Sequence, residues 1–343
     1  MNRTHGAAPR TDLQRVTITD VAEAAGVSVA TVSKVINSRY GVAAATSQRV
    51  QQVIDELGYE SSLVARSLRS HRTNVIGILV AEFEPFSTEI LKGTSRAIAG
   101  TGYELLAYSG GGRAGAPAGW ERRYLSRLSG TLIDGAILVT PTVVDTGGRV
   151  PVVAIDPHAG PAHMPTVDSD NEHGAQLATE HLLRLGHRRI GFLGGRADLE
   201  SSRLREAGYR RALAAAGLEA DPTLLRVADY QQEGAARPAR ELLSLPDRPT
   251  AIFAANDLSA IGTLDVAQEL GLSVPDDLSV VGFDNVPESA LTTPSLTTVA
   301  QPMQQLGSEA VTLLIQLMSD TEPGSTHVRL PVRLVERGST RAR

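Results

Sequence analysis

Cysteine is absent from this 343-residue chain, which excludes disulfides, thiolate catalysis and cysteine-built zinc or iron–sulfur sites. Lysine is nearly absent too. Of 33 basic residues only Lys34 and Lys92 are lysine, and the other 31 are arginine. Alongside so much alanine, this reads as the coding bias of a GC-rich bacterial genome, so arginine abundance by itself is no functional evidence. The single tryptophan, Trp120, lies in a polar Gly/Pro stretch and reads as surface packing rather than as a sugar platform. No apolar run approaches the ~18 residues of a membrane-spanning helix. The leading segment MNRTHGAAPRTDLQR has no apolar core of a secretion signal. The expectation is a soluble, cytoplasmic protein with no membrane partner.

The net charge of −5 speaks against a basic coat over the whole chain. It is unevenly spread. Residues 1–73 hold nine Lys/Arg and six Asp/Glu, or +3, which leaves −8 for the remainder. A positive head on a negative body points to a polyanion partner for the head.

Patterning in the head agrees. Residues 1–15 are polar and aperiodic and are expected to be a disordered leader. In the following VTITDVAEAAGVSVATVSKVIN, Thr17 and Asp20 have the spacing of a capping box. Ile18, Val21, Ala22 and Ala25 then recur at helical spacing, and Gly26 stops that helix. Ser28 can cap a second helix, running from Val29 to about Asn37. A third helix carries Val50, Val53, Ile54 and Leu57 on one face and ends at Gly58. Helix, glycine turn and helix make the helix-turn-helix layout.

The second helix would expose Val29 and Ala30 in its first turn. In a helix-turn-helix such positions enter the major groove and touch base edges and thymine methyls. Thr17, Ser28, Thr31, Ser33 and Asn37 offer hydroxyls and an amide to phosphate oxygens, and Lys34 reaches a guanine edge or a phosphate. The competing reading is a three-helix interaction module whose Ser and Thr serve only as caps.

After Thr73, short apolar runs alternate with amphipathic stretches. NVIGILV, YELLAY, GAILVT, VPVVAI, RRIGFLG, TAIFAAN and SVVGFD read as buried parallel strands. Ligands in such folds sit at the carboxyl ends of strands. Glu82 and Phe83, Asp156, Asn256 and Asp257, and Asp284 and Asn285 gather there. Acids and amides bind vicinal hydroxyls, and an aromatic face stacks on a sugar's C–H surface. The alternative is local: Asp156 and Asn256-Asp257 as caps of the next element, Asp284-Asn285 as turn residues.

The chain resembles the lactose/galactose-repressor (LacI/GalR) family. The resemblance is carried by VTITDVAEAAGVSVATVSKVIN, RVQQVIDELGY and VARSL, then by GHRRIGFLGG, REAGYRRAL, FAANDLSAIG, VVGFDNVPES, LTTVAQP and LPVRLVERGST, from about residue 16 to about 340. It implies an all-α helix-turn-helix headpiece on an α/β two-lobe, periplasmic-binding-protein-like body with parallel sheets and helices on both faces. Val29 and Ala30 become the base-reading pair, with Lys34 the third reader. SSLVARSLRS at 61–70 becomes a hinge helix formed on operator DNA, with Ala65 allowing close approach and Leu68 the minor-groove wedge. Glu82, Phe83, Phe86, Asp156, Arg205, Asn256, Asp284 and Gln301 become effector contacts.

There are departures. Ala43 stands where the family has a Ser or Thr cap, leaving Thr46 or a neighbour to serve. Ser61-Ser62 replaces Pro-Asn before the hinge. EFEPFS places Glu84 where many relatives have Asn.

Enzymatic signals are poor. GFLGG is GxxGG rather than GxGxxG, Gly110-Gly111-Gly112 lacks the Lys-Ser/Thr of a phosphate loop, and no HExxH or nucleophile elbow occurs. His181 and His187 flank a helix end, where a dipole-facing or solvated role fits. The expected division is a leader (1–15), headpiece (16–60), hinge (61–72) and body (73–343). The first lobe would be about 73–170 and 302–323, the second about 171–301 and 324–338. The expected function is a sugar-responsive repressor of carbohydrate genes, released from a pseudo-palindromic operator when sugar binds between the lobes. No metal or cofactor is expected. RGSTRAR carries no leucine heptad, so the expected assembly is a homodimer rather than a tail-built tetramer. A solute-binding protein without a DNA role is the alternative.

Overall fold

The computed structural model describes residues 16–36, 40–59, 72–110, 119–143, 145–148, 150–319 and 322–343. The chain divides into two compact units, Met1–His71 and Arg72–Arg343.

The first unit has three helices, α1 (Ile18–Ala25), α2 (Val29–Ile36) and α3 (Ala44–Leu57). The capping box forms: Thr17 N–H donates to Asp20 Oδ2 at 2.7 Å, and Asp20 N–H donates to Thr17 Oγ1 at 3.4 Å. Gly26 ends α1 at φ +63°, a left-handed conformation that costs glycine no Cβ clash. Thr31 N–H donates to Ser28 Oγ at 3.2 Å, opening α2. Val21, Ala22, Ala25, Val32 and Val50 are buried together, with Val53 and Ile54 packed against them. Leu57 is exposed. At α3 the N-cap residue Ala43 makes no side-chain cap bond, and among the described residues no other hydroxyl is seen to replace it.

The second unit has two six-stranded sheets. The first is built from β1 (Val75–Val80), β2 (Glu104–Ser109), β3 (Gly135–Val139), β4 (Val152–Ile155), β5 (Thr166–Ser169) and β11 (His327–Leu330), in the order β11-β5-β4-β3-β1-β2. The second contains β6 (Ile190–Gly194), β7 (Leu225–Val227), β8 (Ala251–Ala254), β9 (Ser279–Asp284), β10 (Thr297–Ala300) and β12 (Arg333–Val335), in the order β12-β10-β9-β8-β6-β7. Neighbouring strands are parallel except β10 and β12. β1, β3, β4, β6, β8 and β9 are buried along their whole length, which is why they read as unbroken apolar runs.

Seven helices clothe these sheets among the described residues: α4 (Pro85–Ile98), α5 (Trp120–Leu128), α6 (Asn171–Arg184), α7 (Glu200–Ala215), α8 (Gln232–Leu243), α9 (Asp257–Glu269) and α10 (Met303–Met318). Close approach is specified by glycine. A Cβ on Gly93 of α4 would overlap the Gln304 carbonyl of α10, and one on Gly307 would overlap the Ile90 carbonyl.

Three sequence readings change here. Residues 327–330 pair with β5 in the first sheet, and only the chain after them enters the second. The crossover therefore lies at 331–332 rather than near 324. Trp120 is buried, 5 % exposed, against Tyr124 and Gly110. His181 and His187 are also buried. His187 Nδ1 lies 2.9 Å from Thr250 Oγ1, and its Nε2 3.0 Å from Ser279 Oγ. Burial holds both imidazoles below the usual histidine range.

Candidate functional site

The headpiece presents one face of α2. Val32 points inward and is fully buried, while Val29 is 41 % exposed and Ala30 and Lys34 are exposed beside it. Thr17, Ser28 and Thr31 use their hydroxyls in local capping bonds. Ser33 is half-buried. Asn37, Ala65 and Leu68 lie outside the described residues.

The second site is a cleft in the body, between the carboxyl ends of both sheets. It is lined by Glu84, Phe86 and Thr140, by Asp156, Ser201 and Arg205, and by Tyr230, Asn256 and Asp284. Four of these stand at or shortly after strand ends with left-handed backbones: Thr140 (φ +47°), Asp156 (+46°), Tyr230 (+60°) and Asp284 (+111°). Non-glycine residues rarely adopt that region, and such strain clusters at ligand sites.

Arg205 of α7 organises the cleft. It is 4 % exposed. Its Nε donates to Asn171 Oδ1 at 2.9 Å, and its Nη1 donates to the Ala255 carbonyl and, at 3.4 Å, to Asp284 Oδ1. The guanidinium lies over the rings of Phe283 and Tyr230. Asn171 Nδ2 donates to Asp156 Oδ1 at 3.4 Å, and Gln301 Nε2 to Asp284 Oδ1 at 2.7 Å. One polar chain therefore joins Asp156, Asn171, Arg205, Asp284 and Gln301.

Burial raises the acids. Asp156 is pushed up to about 6 and Asp284 to about 7, chiefly by desolvation and in opposition to Arg205. Asp257, behind the cleft, is also held well above the ordinary carboxylate value by burial. It accepts from Thr298 Oγ1 at 2.6 Å and from Val286 N–H at 2.9 Å. Asn256 both caps α9, through Ser259 N–H, and lines the cleft, so its two readings coexist.

Of the sequence candidates, the structure brings together Phe86, Asp156, Arg205, Asn256 and Asp284. Gln301 stands behind Asp284 as its donor. Glu82 and Phe83 are exposed and stay outside the lining. Glu84 lines it in their place because Pro85 starts α4 there. Thr140, Ser201 and Tyr230 were not singled out from sequence. The recurrence of polar residues just after apolar runs would have found Thr140. Among the described residues no His/Asp/Glu cluster is arranged to hold a metal, and no helix is long and apolar enough to cross a membrane.

A helix-turn-helix unit in one chain with a two-lobed α/β body that has a polar cleft defines a ligand-controlled DNA-binding regulator. Comparison with known proteins agrees. Residues 17–62 match the model of bacterial regulatory proteins of the lacI family, and residues 179–340 that of a periplasmic binding protein-like domain. The HTH-type transcriptional repressor PurR of Aliivibrio salmonicida (strain LFI1238) is 34% identical over 312 residues, covering 89% of this chain and 92% of that protein. The lac repressor dimer bound to operator and the anti-inducer ONPF superposes with a TM-score of 0.83 at 30% identity, covering 96% of this chain and 100% of that one. A transcriptional regulator CelR–cellobiose complex gives 0.70 at 33% identity, covering 95% and 100%. The chain belongs to the lacI family of bacterial regulatory proteins and is a DNA-binding transcriptional repressor, not an enzyme.

Proposed function

We propose that this repressor, as a homodimer, holds a pseudo-palindromic operator upstream of carbohydrate-utilisation genes and is released when a sugar binds between the lobes. The observation that carries the sugar reading is Arg205, bonded to Asn171 and Asp284, with Asp156, Asn256, Phe86 and Tyr230 lining the cleft beside it. Carboxylates and an amide match vicinal hydroxyls, a guanidinium fork matches ring oxygen and hydroxyl, and two aromatic rings cover apolar C–H faces. The solved CelR relative carries cellobiose.

In this conformation the space between those side chains is only about 60 Å³, so a sugar ring enters by parting the lobes. The ligand then shifts the body between two states by its differential affinity for them, and DNA binding falls by the same coupling. On the DNA side, Val29 and Ala30 read base edges and Lys34 reads a guanine or neutralises a phosphate. Thr17, Ser28, Thr31, Ser33 and Asn37 contact the backbone, and Leu68 wedges the central step with Ala65 at the hinge contact.

A gel shift on the protein's own upstream DNA, repeated with a sugar panel, tests this. Retardation at low salt that one sugar abolishes is the expected result. No retardation would sink operator binding, and retardation strengthened by sugar would overturn release.

A further inference from the structure

The charges around the cleft bear on which sugars it accepts. Glu84, Asp156 and Asp284 line it, and among its described lining residues Arg205 alone is a cation. Glu84 is pinned. Its carboxylate accepts from Phe86 N–H at 3.4 Å, Ser87 N–H at 3.3 Å and the Ser87 hydroxyl at 2.8 Å. It is therefore not free to swing aside for an incoming anion. The same bonds fill the N-terminus of α4, where exposed N–H groups and the helix dipole would otherwise draw a phosphate or carboxylate. The negative charge of Glu84 is also felt by Asp284, across on the second lobe.

Arg205 commits part of its donor set to the protein. Its Nε and Nη1 serve Asn171, Ala255 and Asp284. Gln301 gives its amide nitrogen to Asp284, while its Oε1 is buried without a hydrogen-bond partner. Three carboxylates therefore face one cation in the lining. A sugar hydroxyl donates to such groups. A phosphate or carboxylate brings only further acceptors, and like charge in a site that screens poorly.

Resting on the sugar reading above, we propose that the cleft takes neutral or amine-bearing saccharides and rejects sugar phosphates and sugar acids, with Glu84 setting this charge selectivity.

Calorimetric titration of the full-length repressor tests it. The probes are gluco- and galacto-configured mono- and disaccharides, each as the neutral sugar, the 2-amino sugar, the 6-phosphate and the uronic acid. Within the set that binds, the anionic members are expected to be at least about tenfold weaker than their neutral parent. In Glu84→Gln, which keeps an acceptor for the helix end but removes the charge, the ratio of anionic to neutral affinity should rise about tenfold. Glu84→Asp, which keeps the charge, should preserve the wild-type ratio and serves if the Gln variant misfolds. A phosphate or uronate that binds more tightly than its neutral parent overturns the selectivity and leaves the sugar reading standing. A ratio unchanged in a folded Glu84→Gln overturns the role of Glu84. No binding by any saccharide overturns both.

Discussion

The guanidinium carbon of Arg205 lies 3.9 Å from the centroid of the Phe283 ring, whose next residue, Asp284, accepts from the same guanidinium. One face of the cation is covered by an aromatic ring and one edge is paired. Lysine reproduces neither contact. Arg205→Ala leaves buried carboxylates without their counter-charge, and should destabilise the body by about 3–5 kcal/mol in urea unfolding. Arg205→Lys should cost less stability, yet weaken sugar binding by at least about tenfold through loss of the fork. A Lys variant with wild-type sugar affinity would remove Arg205 from the binding site.

The pH dependence has two opposed parts. Asp284 ionises near 7 in the folded chain against 3.8 for the ordinary group. Between those values the folded state holds a proton that the unfolded chain has released, so its contribution is present in acid and is lost as pH rises through about 7. His181 and His187 act the other way. Their lowered folded values mean that the unfolded chain protonates first, and stability is lost as pH falls below 6.5. As pH rises from about 4 to about 7, wild type should therefore lose ground to Asp284→Asn, and as it rises towards 6.5 wild type should gain ground on His187→Asn, in urea midpoints. Parallel curves for all three proteins would contradict both assignments.

Gly307 lets α10 lie against α4 at a separation no other residue permits, since any Cβ would meet the Ile90 carbonyl and Thr94. Gly307→Ala should destabilise the first lobe by about 1–3 kcal/mol through overpacking, even though alanine is the better helix former. A neutral or stabilising outcome in denaturant unfolding would mean that the two helices separate without cost.

On the headpiece, Lys34 and Val29 are both exposed, five residues apart on α2, and they should fail differently. Lys34→Ala, if the ammonium meets a phosphate, weakens binding to all DNA sequences and lowers the salt slope of affinity by about 1. Val29 substitutions should alter base preference at one operator position and leave the salt slope alone. Fluorescence anisotropy over a salt series, on operator and scrambled duplexes, separates the two.

Much of this was legible before any coordinates. The capping box, Gly26 and Gly58 mark the headpiece helices because each is a local device. The central strands show as apolar runs because both faces are covered. The strands left unread are short or polar, such as Thr166–Ser169 and His327–Leu330, and owe their strand geometry to neighbours rather than to pattern. Trp120 looked like a surface residue because the residues just before it are glycine, alanine and proline, while its cover comes from Tyr124 one turn on and from the backbone at Gly110. His187 is buried by hydroxyls 63 and 92 residues away, which no window of sequence reveals. In the cleft, the strand-end rule found Asp156, Asn256 and Asp284. Tyr230 escaped because it follows a three-residue edge strand with little apolar signal.

β11 completes the edge of the first sheet and β12 that of the second, and the two are joined by Pro331 and Val332 alone. Synthesis runs from the N-terminus, so each lobe waits for this one late segment to gain its outermost strand. The head can fold long before, but both walls of the cleft are finished almost together. A nascent chain stalled before residue 327 would therefore carry a helix-turn-helix with nothing complete behind it to govern it.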